Sequence, residues 1–249
     1  MRQFGLIGYP LSHSFSQGFF SEKFKVENIL DAQYTNYPIP TISEFVQLWQ
    51  TDPNLIGLNV TIPYKKEVIP FLKYPSTVVA SIGACNCIRK YNGALYGYNT
   101  DVIGFEKSLL PFLKPHHTHA LILGTGGAAA AVEWVMKKLN IQYQFVSRSN
   151  RNNCISYEAL NNHIVAAHTL IINTSPVGMY PNINDAPALP YEAISSQHHL
   201  YDLIYNPNET LFLKKGKANG ATIQNGLEML HIQAEESWNI WTATAPILQ

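Results

Sequence analysis

The chain has 249 residues, room for one large domain or two modest ones, and 46% of them are hydrophobic, which argues for a sizeable core and against global disorder. Charged residues make up only 14%, with 17 Lys+Arg against 17 Asp+Glu. So sparse and balanced a charge set offers no field for nucleic acid or an anionic membrane, and an anionic substrate has to be held by a local pocket. Cys85, Cys87 and Cys154 form an odd set that does not suit a disulfide framework, and a C-x-C pair supplies too few ligands for structural zinc. The expectation is reduced thiols in a cytoplasmic protein. The apolar run before Pro10 is too short for a signal peptide, and no charge-free apolar stretch reaches the length of a membrane span.

In chain order, Phe4 to Gly8 reads as a short buried strand, followed by the polar loop Ser12-His13-Ser14 and a helix from Phe15 to about Glu27. Tyr34 to Ile39 is a second strand, and Ile42 to Gln50 has helical spacing with Thr41 or Ser43 as its cap. Leu55 to Val60 is a third strand, after which Pro63 suits the first turn of a helix. Cys85 to Lys90 and Ala94 to Tyr98 flank Tyr91-Asn92-Gly93, a hairpin signal. Thr100 to Leu110 is helical and stops at Pro111. The stretch Leu110 to His119, with two prolines and His116, His117 and His119, reads as a solvated seam rather than a metal site. Beyond it come strand His119–Leu123, a glycine-rich turn, helix Ala128–Leu139 and strand Tyr143–Val146. A weak helix Tyr157–Asn161 precedes strands Leu170–Asn173 and Leu200–Tyr205. Helix Thr210–Asn219, strand Ala221–Ile223 and a long helix from Leu227 to about Trp241 complete the chain. Strands alternating with helices indicate βαβ units and a parallel sheet, an α/β fold.

Gly124-Thr125-Gly126-Gly127-Ala128-Ala129 sits between strand and helix and fits G-x-G-x-x-G/A, with Ala129 in the third place. Gly124 permits the tight turn, Gly126 lets backbone approach a pyrophosphate, and the helix N-terminus offers N–H groups and partial positive charge. An NAD site usually carries an acid about 20 residues on, at the end of the second strand. Here Ser147-Arg148-Ser149 stands instead, with no acid. A carboxylate repels a 2′-phosphate and an arginine grips it, so the expected cofactor is NADP(H).

In the first half, Ser12-His13-Ser14, Asn59 to Lys65, Asn86, and Asn99-Thr100-Asp101 each lie at or just past a strand's carboxyl end, where open α/β sheets bind ligands. Hydroxyls and amides outnumber charges, which suits a small polyhydroxylated ligand with a carboxylate. Lys65 and Asp101 are the ionisable pair, able to take or give a hydroxyl proton beside a hydride transfer. Taken singly, each has a plainer alternative: Asp101 or Ser14 as a helix cap, Asn99 as a turn residue, Lys65 as a surface lysine.

Taken together, the ordered motifs resemble the shikimate dehydrogenase family across nearly the whole chain. They run Ser12-x-Ser14, Asn59-Val60-Thr61-x-Pro63-x-Lys65, Gly83-Ala84-x-Asn86, Gly97-x-Asn99-Thr100-Asp101-x-x-Gly104 and Gly124-x-Gly126-Gly127-Ala128. They continue through Asn173-Thr174-Ser175-x-x-Gly178-Met179, Asp202-x-x-Tyr205-x-Pro207-x-x-Thr210 and Gly226-x-x-Met229-Leu230-x-x-Gln233-Ala234. The resemblance implies NADPH-dependent reduction of 3-dehydroshikimate to shikimate, on the way to chorismate and the aromatic amino acids. It implies a Rossmann-type doubly wound NADP-binding domain, 102–225, and a smaller α/β substrate domain, 1–101 and 226–249, with the cleft between them.

By that similarity Ser12, Ser14 and Thr61 hold the substrate carboxylate, and Asn86, Asp101 and Gln233 bind ring hydroxyls, with Asn59 and Tyr205 close by. Lys65 is the proton acid/base, paired with Asp101. Gly124, Gly126, Gly127 and Ala128 take the pyrophosphate and Ser147, Arg148 and Ser149 the 2′-phosphate. Thr174, Leu203 and Gly226 complete the cofactor site. No metal is implied, and neither nucleic acid nor membrane is an expected partner; the state is monomer or homodimer. The family usually has Asn-Arg-Thr at 147–149, Thr or Ser at Cys87 and Gly at Ala243. Two alternatives are a quinate/shikimate dehydrogenase of broader substrate or NAD use, and a non-catalytic NADP-binding sensor; retention of Lys65 and Asp101 speaks against the latter.

Overall fold

The structure is a computed structural model that describes residues 1–11, 14–148 and 154–246. The chain folds as two units, Met1–Thr100 together with the segment from Gln233 onward, and Asp101–Ile232. The elements of the first are β1 (Arg2–Gly8), α1 (Phe15–Val26), β2 (Ala32–Pro38), α2 (Glu44–Thr51), β3 (Leu55–Val60), β4 (Tyr74–Pro75), α3 (Thr77–Ile82), β5 (Cys87–Tyr91) and β6 (Ala94–Tyr98). Then follow α4 (Thr100–Leu109), β7 (His119–Leu123), α5 (Gly127–Lys138), β8 (Gln142–Ser147), β9 (Cys154–Ser156) and α6 (Asn162–Ala167). The last are β10 (Leu170–Asn173), β11 (His199–Asp202), α7 (Leu211–Ala218), β12 (Thr222–Gln224) and α8 (Leu227–Thr242), whose second half belongs to the first unit.

In the first unit the sheet order is β2-β1-β3-β5-β6-β4. β1 runs parallel to β2 and β3, but β5 is antiparallel to both β3 and β6, so this sheet is mixed rather than wholly parallel. The cause is local. Asn92 (φ 48°) and Gly93 (φ 76°) both adopt positive φ, the two-residue turn that folds a strand back on itself. Side chains on β1 alternate between two cores. Phe4 and Leu6 meet Phe20 and Phe24 of α1 and Ala234, Ile240 and Trp241 of α8; Ile7 meets Phe45 and Trp49 of α2 on the other face. Trp241 stacks on Phe4 at 5.0 Å and donates its indole N–H to Ile88 O at 3.0 Å. It lies directly on Gly57, where any Cβ would come within 2.4 Å of the indole.

In the second unit all neighbouring strands are parallel, in the order β12-β11-β10-β7-β8-β9. Successive crossovers run outward from β7 on one side and from β10 on the other, so these two strands flank the topological switch point of a doubly wound sheet. β10 and β11 are buried along their whole length, as expected of strands covered on both faces. Leu121, Leu123, Ile171 and Leu200 pack against Val165 of α6 and Phe212 and Leu213 of α7.

Several elements differ from the sequence expectations. No continuous helix follows Pro63: residues 62–68 form turns, because Cys85 N–H takes the Lys65 carbonyl at 2.7 Å and Ile69 N–H bonds Lys66 O instead. The strand expected to reach Tyr205 ends at Asp202, whose carboxylate accepts the Ile204 N–H at 3.1 Å and turns the chain. Tyr157–Ala159 is a single 3-10 turn, and the α-helix starts at Asn162 with Asn161 as its cap. The histidine-rich seam lies inside the second unit, where His116 and His117 both donate to Gln197 O, at 3.0 and 3.3 Å.

Candidate active site

The second unit groups its candidate site residues around the switch point. Gly124 follows β7 with φ 111°, and its N–H donates to Val146 O at 2.9 Å. Thr174, the residue after β10, donates both its N–H (2.9 Å) and its hydroxyl (2.8 Å) to Leu123 O. A Cβ on Gly124 would sit 2.8 Å from that hydroxyl, so only glycine serves here. Gly126 occupies the N-cap of α5 without a capping side chain, and Gly127 opens the helix. A Cβ built on either meets no protein atom within 4 Å, and the first turn of α5 carries no acid. The unmade N–H bonds of this helix start, open to solvent beside Ala128, suit a phosphate. Ala129 and Ala131 pack inward and bring the helix close to its sheet.

At the end of β8, Ser147 pairs with Ser156 of β9, and Arg148 is exposed. Burial pushes the Tyr157 hydroxyl pKa up, and the Arg148 charge partly offsets that shift. No acid ends β8, so the position suits a 2′-phosphate rather than a bare ribose hydroxyl. Ser149 lies outside the described residues. Farther along, Gly226 N–H donates to Ile204 O at 3.1 Å, and a Cβ on Gly226 would fall 2.1 Å from Leu203 O. The structure therefore brings Gly124 and Thr174 together, and Leu203 and Gly226 together. Tyr205, half-exposed, follows Leu203 by two residues. A dinucleotide's phosphates and adenosine end fit this set of glycines, helix start and arginine.

The first unit gathers amides and hydroxyls. Asn86, just before β5, accepts the Thr100 N–H at 2.7 Å and donates to the Thr100 hydroxyl at 3.0 Å. Asn59 on β3 accepts the Tyr34 hydroxyl at 2.9 Å and donates to Ser237 Oγ at 2.9 Å and to Asn86 O at 3.3 Å. Its amide is thus committed within the fold, a holding position for Asn86 rather than a free ligand. Thr100 Oγ1 also lies 3.4 Å from Gln233 Oε1, and Ser237 donates back to Gln233 O at 2.9 Å. Thr61 packs over Gly8, where a Cβ would be 2.4 Å from its methyl. Ser14 holds the N-cap position of α1 without capping it: among the described residues its buried hydroxyl has no hydrogen-bond partner, an atom suited to an incoming carboxylate. Lys65 sits half-buried in the turns after β3, and Asp101 in the first turn of α4. Ser12 lies outside the described residues.

Tyr34 and Ser237 escaped the sequence reading. The one clue to Ser237 was its i, i+4 spacing from Gln233 on a helix whose neighbours are core residues. Asn173, Asp202 and Thr210 stood in recognised motifs but had no role assigned. Among the described residues no three His, Cys, Asp or Glu side chains are placed to hold a metal, and no helix is long and apolar enough to cross a membrane.

A parallel sheet of this strand order, with its glycine turn at the switch point, defines the dinucleotide-binding α/β class. Residues 6–88 match the family profile of the shikimate dehydrogenase substrate binding domain. A shikimate dehydrogenase (NADP(+)) from Methanosphaera stadtmanae is 33% identical over 261 residues, covering 97% of this chain and 92% of the relative. A solved chorismate mutase/shikimate 5-dehydrogenase fusion protein from Clostridium acetobutylicum is 34% identical, with a TM-score of 0.86 over 99% of this chain and 93% of that one. The shikimate 5-dehydrogenase of Thermus thermophilus, solved with NADP(H) and shikimate, is 27% identical, with a TM-score of 0.86 over 99% and 95%. The chain belongs to the shikimate dehydrogenase family.

Proposed function

We propose that the protein catalyses the reversible NADPH-dependent reduction of 3-dehydroshikimate to shikimate, a step toward chorismate and the aromatic amino acids. The observation that carries this is the pairing of a glycine turn at the switch point with an arginine, and no acid, at the end of β8. The names of the relatives, and the NADP(H) and shikimate bound to the Thermus protein, support the same assignment. Bound NADPH supplies hydride to the substrate's carbonyl carbon.

The chain's own residues do the rest. Gly126, Gly127 and Ala128 offer backbone N–H groups to the pyrophosphate, and Arg148 with Ser147 takes the 2′-phosphate. Thr174, Leu203 and Gly226 form the remaining wall of the cofactor site. Ser14 and Thr61 donate hydroxyls to the substrate carboxylate. Asn86, Gln233 and Asp101 take ring hydroxyls, and Tyr205 is a further substrate-binding residue. Lys65 gives a proton from Nζ to the carbonyl oxygen during reduction and recovers it from the hydroxyl in the reverse direction. The reading places the enzyme in the cytoplasm, as a monomer or homodimer acting on small molecules.

Initial rates with NADP+ and NAD+, each against shikimate and quinate, test this directly. Turnover confined to NADP+ and shikimate is expected, and Arg148→Ala raises the KM for NADP+ while leaving NAD+ nearly unaffected. Comparable NAD+ or quinate rates would mean a broader dehydrogenase. NADPH binding without turnover would mean a sensor.

A further inference from the structure

The second unit contains a buried carboxylate that the chemistry above leaves unused. Asp202 ends β11 with no exposed surface. Its Oδ2 accepts the Thr210 hydroxyl at 2.6 Å, and its Oδ1 accepts the Asn173 amide at 3.0 Å and the Ile204 N–H at 3.1 Å. Burying a carboxylate is costly unless donors surround it. These three donors come from three segments: Asn173 ends β10, Ile204 lies in the turn after β11, and Thr210 caps α7.

From Asn173 the ordering reaches the switch point. An ionised carboxylate only accepts, so it fixes the Asn173 Nδ2 toward itself and leaves Oδ1 facing the other way. That Oδ1 accepts both the Ser175 N–H (3.1 Å) and the Ser175 hydroxyl (2.7 Å). Ser175 N lies 3.4 Å from where a Cβ of Gly124 would stand, and Thr174 is tied to Leu123 O. The segment after β10 is therefore a wall beside the glycine turn. On its other side Asp202 holds Ile204 N–H, whose own carbonyl accepts Gly226 N–H, with Leu203 O pressed against Gly226.

We propose that Asp202 is a positioning residue for dinucleotide binding. Through Asn173 and Ser175 it fixes the segment after β10, and through Ile204 it fixes the Leu203 turn. The inference rests on the NADP reading above. An Asp202→Asn change keeps the shape but introduces an NH2 that cannot accept, so Asn173 or Thr210 loses its acceptor and the Asn173 amide is released to turn over.

The test is NADPH titration, alongside thermal unfolding, of the wild type, D202N, T210V, T210S, S175A and the D202N/S175A pair. D202N is expected to weaken NADPH binding by about tenfold, while the KM for shikimate moves less than about threefold. T210V weakens binding in the same direction, and T210S, which keeps the hydroxyl, restores it. In the double variant the losses multiply to less than the product of the singles, because both lie on one path. D202N and T210V that lower Tm yet leave NADPH affinity within about twofold would reduce Asp202 to a structural residue and overturn the proposal. If D202N does not fold, T210V against T210S decides. A wild type that binds no NADPH removes the NADP reading and the proposal with it, whereas normal wild-type binding with unshifted variants removes the proposal alone.

Discussion

The hydroxyl of Ser237 shows how little chemistry holds the substrate side in place. It accepts from Asn59, donates to Gln233 O and lies 3.3 Å from Thr100 Oγ1, joining β3, α8 and the start of α4. Ser237→Ala leaves one N–H of the buried Asn59 amide without its acceptor, while the bonds to Asn86 O and Tyr34 remain, at a cost of about 1–3 kcal/mol in urea unfolding. Asn86 and Gln233 depend on the same network, so the KM for shikimate should rise while the KM for NADP+ stays put. An equal rise in both would detach Ser237 from the substrate side. Lys65 belongs to the chemistry rather than to this network, and its substitution is expected to show in turnover. Lys65→Ala should lower kcat by about 10²–10⁴, the usual range for acid–base help, with a far smaller change in KM. Intact turnover with weakened substrate binding would instead make Lys65 a binding group.

Elements were legible wherever a local rule decided them. Asn92-Gly93 announced its hairpin, and Gly124 to Ala129 its strand–turn–helix, because the backbone angles needed there are ones that few residues adopt. The turns after Pro63 were not legible, since Cys85, some twenty positions on, captures the Lys65 carbonyl. Nor were Ser237 and Asp202 as hubs: their partners lie far away in the chain, Asn59 being 178 positions from Ser237. Strand β4 has two residues and helix α3 six, too short for any period to show. Two glycines, alike in the sequence, separate local from long-range fit. Gly18 lies exposed within α1 with open space around it, so Gly18→Ala should stabilise by about 0.5–1 kcal/mol. Gly226 stands just before α8 with its missing Cβ aimed at Leu203 O, so Gly226→Ala has to displace backbone. It should cost about 1–3 kcal/mol and weaken NADPH binding. Unfolding curves of the two variants check the contrast, and a Gly226→Ala protein as stable as the wild type would show that the α8 start gives way freely.

At the scale of the whole molecule, equal numbers of acidic and basic residues leave little net repulsion near neutral pH, so the response to mild acid is set by individual buried groups. His199 is fully buried, and burial, with His117 and Lys114 nearby, brings its pKa down to about 4. Burial lowers His117 and His168 as well. As pH falls from about 6.5 to 4, the unfolded chain takes up protons on these histidines that the folded one refuses, and stability is lost. Asp202 acts in the other direction. Burial raises its pKa to about 6, so between 6 and its ordinary 3.8 the folded state binds the extra proton and gains stability on acidification. Stability should therefore begin to fall near pH 6.5 as the histidines of the unfolded chain take up protons, and from about pH 6 downward Asp202 makes that fall shallower than the histidines alone would give. Removing each group separates the two contributions. His199→Gln should flatten the loss between pH 6.5 and 4. Asp202→Asn should leave that loss unopposed, giving a steeper decline below pH 6 than in the wild type. Urea unfolding free energies taken across pH 7.5 to 4.5 for the three proteins decide the matter: parallel curves would mean that neither buried group governs the acid response.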